Sequence, residues 1–470
     1  MVTKSFSRRK FLLGTSAMAA GGVLAACAAP TPTPAPAAEQ PVEQPTEQPA
    51  AAEQPAAEKK TVRLWVAWGN MNQAFQDEVW YKLPEYEEIC GDIAIEYKGN
   101  TGDAPVTTAL AAGDPPEAAS NISYAQLALK DCFLDCAPLV ATSKYVKESD
   151  FLQPIWDFCK FWSFKGLLGI PAFESFLDYG LNYNTEMVTK AGLDPNTPPT
   201  TYSETYAWHE ALTVKDDAGN LKQFGLDPYD AMGGDPDGMQ VATGGVLWWD
   251  PATGKHNFVN DAYEEYFAST KKFFDLMGPD QIAGLRQGEG MGGWGGSYNA
   301  EVQAMIIEGY WHPGETAVQA PEVAKKNAAT WAPVIDSAKG KKVQEAGGHT
   351  FAIFKNSKLP QDAFRLAEFF VQDSALDILF KQVGWIVGKK SYLAKIDTNA
   401  YPGLKWYFDN ADKADINISL RRSPLHGFVW GQLPEVRELM YRGELTPAQA
   451  CEEMQKRADT EWKNQGLPEA

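Results

Sequence analysis

Three apolar strands alternate with two helices at the start of the region that can fold. The predicted strands are "TVRLWVAW" (61–68), "DIAIEYKG" (92–99) and "EAASNI" (117–122), and the helices between them are "NQAFQDEVWYKL" (72–83) and "APVTTALAAG" (104–113). Strands joined through helices pair in parallel, and their crossovers are right-handed. This order predicts an α/β protein with a largely parallel sheet.

Longer helices, broken by short strands, are predicted further along the chain. Their patterns cover residues 201–213, 262–277, 300–309 and 361–384. Helices of this length can cover the faces of an α/β sheet, so they fit the same fold class.

Two segments that resemble export signals precede the region that folds, and segments of this kind are not part of the folded domain. "SRRKFL" (7–12) resembles a twin-arginine motif, and "LAAC" (24–27) resembles a lipobox. The resemblance implies that residues 1–26 are removed, that Cys27 is lipidated, and that the protein is extracytoplasmic and anchored to the cell membrane. An uncleaved anchor helix is the alternative, but the apolar run 11–26 is short for a membrane span.

Residues 27–60 are predicted to form a tether between the lipid and the folded region. The triplet "EQP" occurs four times, at 39–41, 43–45, 47–49 and 53–55, among Ala, Thr and further Pro residues. Such a composition cannot bury a core, so an extended, solvated segment is expected.

The net charge limits the partners that this protein can have. The formal charge is −19, and removal of the four basic residues of the export segment takes it to −23. A body this acidic repels nucleic acid and anionic lipid head groups. We expect no nucleic-acid partner, no membrane contact apart from the lipid, and a monomer.

Five cysteines remain once Cys27 is assigned to the anchor, namely Cys90, Cys132, Cys136, Cys159 and Cys451. Because the number is odd, at least one thiol is free or pairs between chains. A disulfide between Cys132 and Cys136 could close a small loop in an oxidising compartment. Metal ligation by this pair is the weaker option, and the pairing stays open.

Motifs for catalysis and for metal binding are incomplete wherever they occur. Residues 288–293 fit G-x-G-x-x-G without a preceding strand, His209-Glu210 lacks the second histidine of H-E-x-x-H, and 227–238 lacks the spacing of a calcium loop. Glu174 and Asp178 could serve as a glycosidase pair. The sequence predicts no cofactor, no metal and no catalytic residue, with a surface glycosidase as a minor alternative.

Five segments, in this order, resemble a known family. After the opening strand and helix come "LAAGDPPEAA", "LLGIPAFESFLDYGLNYNTEMVTKAGL", "AMIIEGYW" and "GGHTFAIFKNSKLPQDAFRLAEFFVQD". Together they look like extracellular solute-binding protein family 1 of ABC importers, the maltodextrin-binding-like receptors. The resemblance implies a periplasmic-binding-protein type II fold, in which two α/β lobes enclose a ligand cleft.

The family's motif positions imply the bounds of the two lobes. Lobe one is expected at 61–175 plus 347–395, and lobe two at 176–346 plus 396–470. The crossings are expected near 173–182 and 344–349 and within 390–420.

The resemblance also implies a function. The chain is expected to capture a sugar or oligosaccharide in the cleft and to deliver it to an ABC permease, without chemical reaction. A receptor of the same fold for glycerol phosphate, a peptide or a polyamine is the alternative.

A sugar presents apolar ring faces and a rim of hydroxyls, which aromatic and polar side chains recognise. The residues expected to bind ligand lie at loop ends, on the first crossing and at two family aromatics: Trp68, Asn70, Asn121, Phe173, Glu174, Asp178, Thr243, Gly244, Trp311 and Trp430. A second group is expected to serve packing or loops instead: Trp248, Trp249, Trp294, His349 and Trp385.

Overall fold

The computed structural model describes residues 59–288, 290–418 and 423–467. The predicted export segment, Cys27 and the tether up to residue 58 lie outside the described residues. What the sequence indicates about them therefore stays a prediction. The first strand begins at Lys60, where the predicted tether ends.

The first five-stranded sheet confirms the predicted β-α-β-α-β order. Its strands, in spatial order, are β2 (Ile93–Lys98), β1 (Lys60–Val66), β3 (Ala118–Ser120), β11 (His349–Ile353) and β4 (Gly169–Ala172). Strand β1 pairs in parallel with β2 and β3, whereas β11 runs antiparallel to β3 and β4. The sheet therefore joins the start of the chain to a strand that comes much later.

The second five-stranded sheet has the order β6 (Val214–Lys215), β7 (Leu221–Leu226), β8 (Gln303–Glu308), β5 (Gly180–Asn184) and β9 (Asn327–Thr330). Its central strand β8 corrects the helix predicted over 300–309. All six residues of β8 are buried, and they pair with β5 on one side and β7 on the other. Pairing on both edges and burial of both faces override the helical preference of Ala, Met and Glu.

A pair of short parallel strands, β10 (Val343–Glu345) and β12 (Ile416–Ile418), stands apart from the two sheets. The helices of the first half of the chain are α1 (Asn72–Gln76), α2 (Pro84–Cys90), α3 (Asp103–Ala111), α4 (Tyr124–Ala128), α5 (Ala137–Thr142), α6 (Gln153–Asp157), α7 (Thr185–Lys190), α8 (Tyr202–Leu212) and α9 (Pro236–Ala242). Those of the second half are α10 (Asp261–Met277), α11 (Pro279–Leu285), α12 (Gly296–Asn299), α13 (Trp311–Gln319), α14 (Pro321–Ala324), α15 (Pro360–Phe370), α16 (Asp373–Val383), α17 (Lys390–Leu393), α18 (Leu404–Asn410), α19 (His426–Tyr441) and α20 (Pro447–Asn464).

Two of the predicted helices are interrupted. The helix expected over 72–83 ends at Gln76, a single 3-10 turn follows at Trp80–Lys82, and the next helix, α2, begins at Pro84, beyond the predicted range. The helix expected over 361–384 is divided into α15 and α16, and Gly384 ends α16 in the left-handed conformation at φ 87°. Proline at the first position of a helix and glycine just past its end are common boundaries.

The chain passes from the first sheet to the second over residues 173–179, between β4 and β5, and returns between β9 and β11. These two connections run side by side, because the Asp178 N–H donates to the Glu345 carbonyl and the Gly347 N–H donates to the Phe176 carbonyl. A third segment lies beside them, where Ser175 forms a parallel bridge with Val387. The bounds given above for the two lobes remain predictions.

None of the five cysteines after Cys27, all of which lie in the described ranges, forms a disulfide. The Cys132 Sγ donates to the Leu127 carbonyl at 3.3 Å, and the Cys136 Sγ lies 3.8 Å from the Leu168 carbonyl. The loop disulfide between Cys132 and Cys136 that the spacing allowed is therefore not formed.

Candidate ligand-binding cleft

A cavity of about 660 Å³ is bounded by loops and helices from both sheets. Its walls come from the loops after β1 and β3, the first crossing, α13, the glycine-rich loop before α12, Trp385 and the first turns of α19. This volume is typical of sites for small molecules. Six of the ten residues expected to bind ligand line it: Trp68, Asn70, Asn121, Glu174, Trp311 and Trp430.

Trp68 lies two residues after β1, at the cavity, and is 41% exposed. The centre of its ring lies 4.7 Å from that of His349, edge to face, and 5.9 Å from that of Trp385. The ring is held by two neighbours while much of its surface remains open. Such an exposed aromatic face can stack on an apolar face of a ligand.

Asn121 lies directly after β3 in the left-handed backbone conformation, with φ at 62°. Its N–H donates to the Tyr124 hydroxyl at 2.7 Å, and that hydroxyl donates to the Thr350 carbonyl. The side-chain amide is buried, and neither its oxygen nor its nitrogen has a hydrogen-bond partner among the described residues. A buried amide without partners costs free energy, so a ligand that satisfies it would bind more tightly.

Asn70, Glu315 and Trp385 meet at one carboxyl oxygen. Glu315 Oε1 accepts from Trp385 Nε1 at 2.7 Å and from Asn70 Nδ2 at 3.1 Å. Burial raises the pKa of the Glu315 carboxyl to about 8, and the nearby Glu308 adds to the shift. The contact joins the loop after β1 to helix α13, which follows β8 of the second sheet.

Glu174 and His349 form a buried pair at the first crossing. Glu174 Oε2 lies 3.4 Å from His349 Nε2, and both residues line the cavity. The Glu174 carbonyl also accepts from the His349 N–H, which joins the crossing to the start of β11.

Trp311 and Trp430 line the cavity in different environments. Trp311 begins α13, is only 6% exposed, and packs edge to face on Tyr310 with ring centres 5.5 Å apart. Trp430 is partly buried in α19, and its ring lies 5.7 Å from that of His426. Trp430 therefore has more surface available for a ligand than Trp311.

His426 also contacts two buried aspartates at the start of helix α9. Its Nε2 lies 3.2 Å from Asp235 Oδ1 and 3.2 Å from Asp237 Oδ2. Burial favours the neutral imidazole, but the charges of Asp237 and Asp235 outweigh it and raise the pKa of His426 to about 9. The side-chain atoms of these three residues that could coordinate a metal ion lie within 4.8 Å of one another. In its protonated form, however, His426 pairs with the two aspartates and has no free nitrogen lone pair for a metal. The expectation of no metal site stays a prediction.

Four of the residues expected to bind ligand do not line the cavity. The Phe173 ring packs in the core on Phe370 and Phe351, with ring centres 5.0 and 5.9 Å away. Asp178 is fully buried beside the second crossing. The Thr243 hydroxyl donates to the Gln240 carbonyl, where α9 ends, and Gly244 packs near Lys341.

The structure also brings residues to the cavity that were expected to serve packing, or that the sequence reasoning missed. Trp294, His349 and Trp385 line it, whereas Trp248 and Trp249 are buried elsewhere in the core. Glu315, Gln319 and His426 were missed. Glu315 and Gln319 follow Trp311 by four and eight residues, and His426 precedes Trp430 by four. That spacing places each on the same helix face as its tryptophan and could have identified it.

A family model for "Bacterial extracellular solute-binding protein" matches residues 68–376, which is most of the chain. The chain belongs to this family. Membership is consistent with the cavity, which the loops of two sheets enclose together.

Solved structures of other solute-binding proteins have the same fold. CpMnBP1 with mannotriose bound has a TM-score of 0.72 at 21% identity, over 85% of this chain and 100% of that one. An ABC transporter solute-binding protein from Thermotoga lettingae, bound with alpha-D-tagatose, has a TM-score of 0.69 at 19% identity, over 86% and 99%. The maltose/maltodextrin-binding domain MalE from Bdellovibrio bacteriovorus, bound to maltotriose, has a TM-score of 0.65 at 16% identity, over 86% and 100%.

These neighbours confirm the predicted two-lobed periplasmic-binding-protein fold. With the predicted lobe bounds of this solute-binding protein, the first sheet falls in lobe one and the second in lobe two. A search of curated protein sequences gave no match. Within the described ranges, no helix is long and apolar enough to cross a bilayer.

Proposed function

We propose that this chain is a lipid-anchored extracytoplasmic receptor that captures a sugar or oligosaccharide between its lobes and delivers it to an ABC permease. Membership of the solute-binding family supports the receptor role and the location outside the cytoplasm. The lipobox at Cys27 and the tether support the anchor. The sugars named in the bound neighbour structures support a carbohydrate ligand.

The observation that carries this proposal is the pairing of tryptophan rings with the unsatisfied amide of Asn121. The rings of Trp68 and Trp430 border the same cavity as this amide. Aromatic rings cover the C–H faces of a sugar, while an amide donates to one hydroxyl and accepts from another. A sugar offers both kinds of surface within one small ligand.

A cationic solute such as a polyamine is the second candidate. The carboxyl groups of Asp103 and Glu174 line the cavity and would attract positive charge. The same carboxyl groups disfavour a phosphorylated solute.

A glycosidase receives less support. Of the two carboxyl groups that the sequence offered as a pair, Glu174 lines the cavity and Asp178 does not. Both groups have to flank the scissile bond in such an enzyme. We therefore propose binding without turnover.

The test is a titration followed by tryptophan fluorescence and calorimetry. Mannobiose, mannotriose, maltotriose, spermidine and glycerol 3-phosphate are added in turn, and the sugars are recovered and checked for cleavage. We expect at least one sugar to bind and to return intact. Binding of spermidine alone, or cleavage of a sugar, would contradict the proposal.

Asn121→Gly tests the carrying observation, because glycine adopts φ 62° without strain. Loss of the amide should weaken sugar binding by about tenfold or more and leave the melting temperature unchanged or higher, since an unsatisfied buried group is removed. Asp131→Gly, at another positive φ (49°) outside the cavity, is the control and should leave affinity unchanged.

A further inference from the structure

Trp162 is a partly exposed aromatic residue that lies outside the cavity, and 39% of its surface is accessible. Its ring meets two other tryptophans. The Trp249 ring lies edge to face at 5.7 Å, with an angle of 90° between the planes. The Trp462 ring lies at 5.6 Å with an angle of 48°. None of the three lines the ligand cavity.

The segment that carries Trp162 is fixed to lobe one. Phe158 and Phe161, which precede it, are buried in a core cluster with Ala119 of β3 and Ala352 of β11. The Ser163 hydroxyl, which follows it, donates to the Ala125 carbonyl of α4 at 2.6 Å. Since α4 also borders the cavity, Trp162 moves with the lobe-one wall of the cleft.

The two partner rings belong to lobe two. Trp462 lies on α20, which packs on α10 and α19, and α10 packs on α8 and β7 of the second sheet. His256 holds this region together, because its ring lies 5.5 Å from that of Trp462 and its Nδ1 lies 2.9 Å from Asp459 Oδ1. Trp249 forms a bridge with His256 across the adjoining turn.

We propose that Trp162 is a latch that holds the two lobes together and thereby sets ligand affinity from outside the cavity. The part that concerns affinity rests on the proposed function. When the lobes separate, the segment around Trp162 moves with α4 while Trp249 and Trp462 move with α20. The ring contacts described here then break, so they favour the conformation in which the cavity is enclosed.

The physical basis is a population shift. A receptor that has to close around its ligand binds more weakly when the closed form is less populated, by the same factor. Each aromatic pair contributes a modest stabilisation beyond the burial of its area. Loss of two pairs should therefore raise the apparent dissociation constant by about fivefold or more, without removal of any group that touches the ligand.

The experiment compares Trp162→Ala, Trp162→Phe and Trp331→Ala in the full chain. Trp331 is also partly buried, but its contacts, to Trp406 and Lys342, lie within predicted lobe two. Small-angle X-ray scattering of the ligand-free proteins measures the radius of gyration, and titration with mannotriose and maltotriose measures affinity. The melting temperature of each variant is recorded.

We expect Trp162→Ala to increase the radius of gyration without ligand and to weaken binding of whichever sugar the wild type takes. Trp162→Phe keeps an aromatic ring, so its radius of gyration and affinity should lie between those of the wild type and Trp162→Ala. Trp331→Ala should alter only the melting temperature. An unchanged radius in Trp162→Ala, or equal or tighter sugar binding, would overturn the latch. If the wild type binds neither sugar, the proposed ligand class fails, but the scattering comparison still decides the latch.

Discussion

Asn70 Nδ2 donates to Glu315 Oε1 over 3.1 Å, which joins the end of β1 in lobe one to helix α13 in lobe two. The same oxygen accepts from Trp385 Nε1, so one carboxyl group orients two residues of the cavity wall. The Asn70 amide, expected from the sequence to face a ligand, is thus engaged in a contact across the cleft.

Glu315→Ala should weaken sugar binding by about ten- to a hundredfold. It removes the acceptor of Asn70 and leaves the Trp385 N–H without its partner, and each lost hydrogen bond contributes about 0.5–1.5 kcal/mol. Glu315→Gln keeps an oxygen at the same place and should stay within about threefold of the wild type. Calorimetric titration of both variants checks this. Equal losses in the two would show that the charge, rather than the hydrogen bonds, matters.

Trp430→Ala and Trp311→Ala should separate a ligand contact from a core contact. A tryptophan ring buries about 150–250 Å² when fully covered, so half-coverage of Trp430 corresponds to about 2–3 kcal/mol of binding. Its loss should weaken binding by about thirty- to a hundredfold with near-normal melting. Trp311, at 6% exposure, should lose stability as well, by about 3–5 kcal/mol. Unchanged affinity in Trp430→Ala would remove it from the site.

Glu308 makes stability depend on pH. Burial raises the pKa of its carboxyl from 4.5 to about 8, and its Oε2 lies 2.6 Å from His312 Nδ1. The pKa of this carboxyl is higher in the folded state than in the unfolded state, so the folded state binds the proton more tightly. Its contribution to the free energy of unfolding is fully present below about pH 4.5 and is lost as the pH rises through about 8.

Glu308→Gln removes this titration and keeps a donor toward His312. The variant and the wild type should therefore be similar in free energy of unfolding at pH 5. The variant should become the more stable of the two by pH 9. Urea unfolding at several pH values measures the difference, and a difference that is constant with pH would contradict the shifted pKa.

Cys27→Ala should release the protein from membranes. The lipobox predicts a diacylglyceryl-modified cysteine as the first residue of the mature chain. Mass spectrometry of the membrane fraction should detect that modified peptide in the wild type, and the variant should appear in the soluble fraction. An unmodified N-terminus upstream of Arg8 would refute the anchor.

The sequence located the ends of β1 and β3, and with them Trp68 and Asn121, because polar and aromatic residues after parallel strands gather at one edge of a sheet. It could not separate Phe173 from Glu174. Phe173 and Glu174 are neighbours on the crossing, where Phe173 takes the left-handed backbone conformation at φ 51°, and the sequence pattern alone does not reveal which of the two side chains faces the cavity. The Phe173 ring faces the core, whereas Glu174 borders the cavity.

Other differences between the sequence predictions and the structure come from contacts between distant segments. Strand β8 looks helical by composition, and only its pairing with β5 and β7 makes it a strand. Thr243 and Gly244 were placed by their position in the sequence, but they follow the end of α9, where the Thr243 hydroxyl donates to the Gln240 carbonyl and Gly244 packs near Lys341. Glu315 could have been predicted from the sequence, because it follows Trp311 by four residues and so lies on the same face of the helix.

Strand β11 has a consequence for how this protein is made. Ala119 of β3 pairs with Ala352 of β11, so the first sheet cannot be completed until most of the chain has left the ribosome. Closing so long a loop before its contacts form slows folding, and an unfinished sheet leaves strand edges exposed to aggregation. A transport route that accepts only finished proteins, as the twin arginine at Arg8 and Arg9 predicts, would give the nascent chain time to complete its topology in the cytoplasm.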